Sequence, residues 1–153
     1  MPHILIVEDE PTTSWALAEG LSDDGYTIDT FRTAEEALVW LRGHRSDLVI
    51  TDFRLPGLSG LELAQKLSRG RNTQPVIVVT AYGSPETVRE LVRAGVSEVF
   101  PKPFHVDELR RAVHRALLAR PERRASRARN ARTERGTRPQ DGSSGSSPLR
   151  KAA

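Results

Sequence analysis

Five residues that can do chemistry each stand at the end of an apolar run. Glu8 and Asp9 follow Ile4 to Val7, and Asp52 closes the run Leu48, Val49, Ile50, Thr51. Thr80 follows Val76 to Val79, and Lys102 stands between Pro101 and Pro103, just after Ser97 to Phe100. A carboxylate at the end of a buried strand is badly placed for packing and well placed for chemistry. Three close carboxylates repel one another and must take up a proton or a cation. Oxygen ligands suit a hard cation, and Mg2+ takes one or two carboxylates together with waters and a phosphate oxygen. A hydroxyl and an ammonium beside it supply donors for an anionic group. The set suits phosphoryl transfer to Asp52, in which the carboxylate attacks phosphorus and Lys102 contacts the new charge. Transfer adds roughly −1.5 to −2 of charge, by analogy with other phosphorylated side chains.

The elements that must hold these groups follow from periodicity and punctuation. Ile4 to Val7 reads as a strand buried on both faces. Pro11 suits the first turn of a helix carrying Leu17, Ala18 and Leu21, with Gly25 as a left-handed stop. Thr27 to Phe31 is shorter and more polar, so it reads as an edge strand. Thr33 with Glu36 has capping-box spacing, and the helix it starts turns Ala34, Ala37, Leu38 and Leu41 inward before Gly43. Asp47 to Thr51 is the next strand and delivers Asp52. Ser59 with Glu62 repeats the capping signal before Leu63, Ala64 and Leu67, and Gly70 ends that helix. After a polar loop, Arg71 to Gln74, Pro75 opens the strand Val76 to Val79.

Ser84 and Pro85 start a fourth helix with Val88, Leu91 and Val92 as its apolar stripe, stopped by Gly95. Ser97 to Phe100 is a short fifth strand, and Val106 to Leu118 is a last helix with Leu109, Val113, Ala116 and Leu117 at helical spacing. Five strands alternating with five helices predict an α/β fold, a parallel sheet covered on both faces. Right-handed crossovers with the second and fifth strands at the edges favour the order 2-1-3-4-5, which is that of the flavodoxin-like doubly wound folds. In such a sheet all five candidate residues fall on one rim, where ligands bind.

Charge divides the chain of 153 residues in two. Residues 119–153 hold ten Arg or Lys against three Asp or Glu, whereas residues 1–118 hold thirteen against seventeen. The expected domains are therefore a mildly acidic body, 1–118, and a basic Arg/Ser/Gly-rich tail, 119–153. The tail has almost no large apolar residues, so it reads as disordered, with at most a transient basic helix over Ala125 to Arg135. There is no cysteine, which excludes disulfide and thiol chemistry. No segment approaches the ~20 apolar residues of a membrane span, and the run MPHILIV lacks the length and basic lead of a signal peptide. The expectation is a cytoplasmic protein with no membrane partner.

At these residues the chain resembles the receiver domains of two-component response regulators, in the single-domain form typified by chemotaxis receivers. The features that carry it are Glu8-Asp9 after ILIV and Asp52 with Pro56 and Gly60 at the family spacing. Thr80-Ala81 after VIVV and Lys102-Pro103-Phe104 complete the set. The likeness covers about residues 2–118. It implies that Asp52 accepts a phosphoryl group from the phosphohistidine of a histidine kinase or phosphotransfer protein. Glu8, Asp9, Asp52 and the backbone carbonyl of Arg54 would hold Mg2+, with Asp9 the direct ligand of the first two. Thr80 would be the switch hydroxyl and Lys102 the phosphate-binding lysine, with a cis Lys102–Pro103 bond.

The resemblance also implies output through the face of the fourth helix, fifth strand and fifth helix, toward an unnamed protein target or a second copy of the chain. No DNA-binding or enzymatic output domain is expected after residue 118. Two positions are particular to this chain. Val99 stands where the family places Tyr or Phe, and alternation points the neighbouring Phe100 to the opposite face. Arg54 and Tyr82, two residues beyond Asp52 and Thr80, form a bulky pair where the family tunes phosphoryl lifetime, so slow autodephosphorylation is expected from a signalling protein rather than an enzyme.

Singly, each feature has a plainer reading. Glu8 and Asp9 could be helix-dipole partners, Asp52 a strand end, Thr80 a turn cap and Lys102 a surface lysine. Five in order, each at a strand end, favour the functional reading. His3, His44, His105 and His114 have no metal-ligand spacing, and Trp15 and Trp40 read as covers of helix faces. A phosphatase with an aspartate nucleophile would carry a second Asp where this chain has Arg54. Nucleic acid would have only the tail to bind, which has no aromatic residue for base stacking.

Overall fold

Three aliphatic runs form the centre of the sheet. In the computed structural model, which describes residues 1–70 and 73–119, the chain runs β1 (His3–Val7), α1 (Pro11–Ser22), β2 (Thr27–Phe31), α2 (Ala34–Leu41) and β3 (Leu48–Asp52). It continues with α3 (Gly60–Arg69), β4 (Val76–Thr80), α4 (Pro85–Arg93), β5 (Glu98–Pro101) and α5 (106–119). All strand pairs are parallel, in the order β2-β1-β3-β4-β5, as the alternation predicts. The apolar strands β1, β3 and β4 are central and the polar β2 is an edge. The expected tail lies outside the described residues apart from Ala119, which belongs to α5, and Ala125 to Arg135 lies wholly outside them.

Side-chain alternation splits the core in two. Leu5, Val7, Val49, Val76 and Val78 pack on one face against Ala34 and Ala37 of α2, Leu63, Ala64 and Leu67 of α3, and Leu91 of α4. Ile4, Ile6, Leu48, Ile50, Ile77 and Val79 pack on the other face against Leu17 and Leu21 of α1 and Leu109, Ala112 and Val113 of α5. Each of these large aliphatic side chains contributes roughly 1.5–3 kcal/mol by leaving water. The two layers hold the strand ends in a fixed register, with Asp52 opposite Val79 and Thr80 opposite Pro101.

The helix starts follow the capping signals. Thr33 accepts from Glu36 N, Ser59 from Glu62 N and Ser84 from Thr87 N, each at 3.2 Å. Gly25 and Gly95 adopt positive φ after α1 and α4. Two apolar residues sit differently from expectation. Val92 is 60 % exposed, because the nine-residue α4 fully buries Leu91 alone. Trp15 is 66 % exposed, on the first turns of α1, while Trp40 packs between the rings of His3 and His44.

Candidate functional site

The C-terminal rim of the sheet brings together the residues that the sequence places at strand ends. Glu8 leaves β1 with its backbone N–H bonded to Phe31 O at 2.9 Å, and its side chain turns inward, so the residue is only 2 % exposed. Asp52 ends β3 and Thr80 ends β4, the latter 1 % exposed. Lys102 N donates to Thr80 O at 2.8 Å, which carries the pairing with β4 past the end of β5 and aims the lysine back at the rim. The Lys102–Pro103 bond is cis.

One ammonium bridges two strands. Lys102 Nζ lies 3.2 Å from Asp52 Oδ2 and 3.3 Å from Glu8 Oε2. Glu8, Asp9 and Asp52 each present an oxygen within 4.8 Å of the others. With all three carboxylates ionised, Lys102 neutralises one and leaves a formal −2, the charge a divalent cation cancels. An octahedral cation with ligands at about 2.0–2.1 Å holds adjacent oxygens roughly 3 Å apart and opposite ones roughly 4 Å apart. The cluster therefore fits a hard divalent ion once its oxygens are drawn together. Arg54 N approaches Asp52 Oδ1 at 3.4 Å, so the backbone two residues beyond the acid is folded against its carboxylate.

The electrostatics follow from crowding. Burial first, and then the charge of Asp52, push the Glu8 carboxyl up from 4.5 to about 7, with Lys102 pulling the other way. Burial lowers Lys102, but the charges and hydrogen bonds of Glu8 and Asp52 outweigh it and hold the ammonium above its ordinary value. Between pH 4.5 and about 7 the unfolded chain gives up the Glu8 proton while the folded chain keeps it. Without divalent cations, the Glu8 contribution to stability should be full below that window, fall as pH rises through it, and level off above. The change is roughly 3 kcal/mol at most. Denaturant unfolding in chelator across the window checks this against Glu8→Gln, whose curve should be flatter. Equal slopes in the two proteins would refute it.

Two neighbours complete the rim. The Arg54 guanidinium lies 3.8 Å above the ring of Tyr82, which is itself 54 % exposed. Tyr82 N donates to Thr80 Oγ1 at 3.0 Å, so the hydroxyl proton of Thr80 remains available to another acceptor. Val99 packs in the α2–α4 core layer and Phe100 in the α1–α5 layer, as alternation requires, so no aromatic ring stands at position 99. A groove of about 370 Å³ runs from Glu8 and Asp9 past Trp15 to Arg32 and gives access to the acids. A larger groove of about 720 Å³ lies along α5, around the Asp24–Arg110 pair, away from this rim.

Two features of the β3–α3 loop carry different degrees of sequence signal. Gly60 reads as a backbone device from its place after Pro56, and a Cβ there would overlap Asp52 O. The contact of Glu35 with Leu58 N has no signal, because a glutamate in the first turn of a capped helix reads simply as a dipole partner.

Residues 4–114 match the family model described as the response regulator receiver domain. The transcriptional regulatory protein TcrA of Mycobacterium tuberculosis is 36% identical over 107 residues, which are 70% of this chain and 42% of that protein. The response regulator RppA of Synechocystis is 40% identical over 109 residues, 70% of this chain and 47% of that one. The chain thus spans less than half the length of either relative. The crystal structure of a CheY-like response regulator receiver domain protein from Methanospirillum hungatei superposes with a TM-score of 0.76 at 27% identity. It covers 80% of this chain and 98% of its own.

Proposed function

Given that the chain belongs to the receiver-domain family of two-component response regulators, we propose that Asp52 is its phosphoryl acceptor. The donor is the phosphohistidine of a sensor histidine kinase or phosphotransfer protein. Receiver domains are signalling domains rather than enzymes in the ordinary sense. The observation that carries the proposal is Lys102 Nζ, held between Asp52 and Glu8 on the sheet rim. An Asp52 oxygen attacks phosphorus, the P–N bond breaks, and its electron pair returns to the imidazole nitrogen. Lys102, already beside that oxygen, meets the transferred charge, and Thr80 donates its free hydroxyl proton to a phosphoryl oxygen. Mg2+, held by Glu8, Asp9, Asp52 and the Arg54 carbonyl, would supply charge neutralisation at the phosphoryl oxygens.

Thr80 also accepts Tyr82 N and, through its carbonyl, Lys102 N, so a shift of Thr80 moves both the segment entering α4 and the end of β5. The output surface is therefore α4–β5–α5, offered to a protein target or a second copy of the chain. A partner that prefers the phosphorylated form shifts the equilibrium toward it. No helix among the described residues is long and apolar enough to cross a membrane, and we assign the protein to the cytoplasm. Nucleic acid would have only the basic tail to bind.

The test is intact mass after incubation with Mg2+ and a small acyl phosphate. A single phosphoryl adduct that Asp52→Ala abolishes supports the reading, and an equal adduct on that variant overturns it. Phosphoryl lifetime is a further expectation. The Arg54–Tyr82 stack screens the acyl phosphate from water, so Arg54→Ala and Tyr82→Ala should each shorten its half-life, by up to about tenfold. Unchanged half-lives in both would remove the stack from the account.

A further inference from the structure

The loop that leaves the phosphoryl-accepting strand is fastened at two points. Gly60 N donates to Phe53 O at 2.8 Å, which closes the loop on itself. Leu58 N donates to Glu35 Oε1 at 2.7 Å, which ties it to the first turn of α2 across a sequence separation of 23 residues. Gly57, with φ +78°, lets the backbone approach Glu35 so closely that a Cβ there would overlap its carboxylate. Between these fastenings lies Arg54, whose N–H meets Asp52 Oδ1.

A first-turn glutamate can serve the helix dipole alone. Glu36, its neighbour, fits that description: it lies in the same turn, and its backbone N–H is bonded locally to Thr33. Glu35 differs because its side chain leaves the helix and captures a backbone donor of a distant loop. The Leu58 N–H, and next its own backbone N–H, hold its carboxyl below the ordinary range, so the tie persists into mild acid.

We propose that Glu35 is a positioning residue for the cation site, holding the 53–58 loop so that the Arg54 backbone stays against Asp52. This rests on reading Asp52 and its neighbours as the cation-holding, phosphoryl-accepting centre. Without the tie, the loop keeps its Phe53–Gly60 closure but loses its link to α2, and the Arg54 carbonyl is no longer presented in one place. Groups that orient metal ligands typically change affinity by 10–100-fold when removed. A backbone ligand held through its loop belongs at about the lower figure.

The experiment uses the full chain without phosphodonor. Mg2+ affinity is measured by calorimetric titration on wild type, Glu35→Ala, Glu35→Gln and Glu36→Ala, with amide exchange at Leu58 and thermal unfolding alongside. Glu35→Ala should weaken Mg2+ binding about tenfold and speed Leu58 exchange, with a melting temperature close to that of Glu36→Ala. Glu35→Gln keeps an oxygen acceptor and should recover most of both losses. Wild-type Mg2+ affinity in Glu35→Ala, or equal weakening in Glu36→Ala, overturns the proposal. If wild type itself binds no Mg2+ and takes no adduct on Asp52, this inference and the functional reading fall together. If wild type does both and Glu35→Ala matches it, the inference alone falls.

Discussion

Asp52→Ala should take up no phosphoryl group from a small acyl phosphate in the presence of Mg2+, under conditions where the wild-type chain gains one. The rim holds three carboxylates, so selectivity has to be argued. Glu8 is only 2 % exposed, so its carboxylate is closed off from an incoming acyl phosphate. Asp9 is partly exposed, but the Lys102 ammonium pairs with Glu8 and Asp52 rather than with it. Asp52 alone combines a partly open position at a strand end with an ammonium at 3.2 Å and a backbone N–H folded toward its other oxygen. Lys102→Ala separates the roles further. It keeps the nucleophile but removes the cation that meets the developing charge, so labelling should slow by roughly 10²–10³, as when one oxyanion donor is lost. Intact mass over time checks both variants. Labelling of Asp52→Ala at the wild-type rate would move the acceptor elsewhere, and an unslowed Lys102→Ala would deny the lysine its role.

The site was readable from sequence because topology does most of the positioning. A parallel sheet puts every strand C-terminus on one rim, so Glu8, Asp52, Thr80 and Lys102 had to converge once the strands were right. The strands were readable because β1, β3 and β4 are unbroken aliphatic runs, buried on both faces. What topology does not determine was less legible. Trp15 and Val92 lie on helices whose periodicity is real, but a 3.6-residue period gives the direction of a stripe and not its width. Short α4 buries one residue fully and leaves Val92 in water. The Glu35–Leu58 bond joins segments whose proximity depends on how α2 and the β3–α3 loop pack together, and no local pattern encodes it. The Arg54–Tyr82 stack lies between these cases. Matching positions beyond neighbouring strand ends made it foreseeable as a pair, while its geometry came from the structure.

Gly60→Ala should be the most damaging single-methyl change in the domain, although helix propensity predicts the opposite. Gly60 opens α3, and its φ is not positive, so alanine is an acceptable backbone residue there and gains up to about 1 kcal/mol over glycine by propensity. Packing decides against it. The added Cβ would overlap Asp52 O and come within 3.0 Å of Phe53 Cα and 3.1 Å of Asp52 C. All three are backbone atoms of the strand end, with no flexible side-chain tip to move aside. Relief requires α3 to retreat from β3, which stretches the 2.8 Å bond from Gly60 N to Phe53 O, or Asp52 to shift out of the rim. Overpacking of this kind costs about 1–3 kcal/mol, occasionally more, and should outweigh the propensity gain. Because the displaced atoms belong to Asp52 and its neighbour, phosphoryl uptake should slow as well. Gly83→Ala is the control: nothing lies within 4 Å of a Cβ there and its φ is not positive, so the change should be neutral or stabilising by up to about 1 kcal/mol. Denaturant unfolding of both variants checks the sign. A Gly60→Ala protein as stable as Gly83→Ala would mean that α3 can retreat from Asp52 freely, and that the acceptor is not held by the start of that helix.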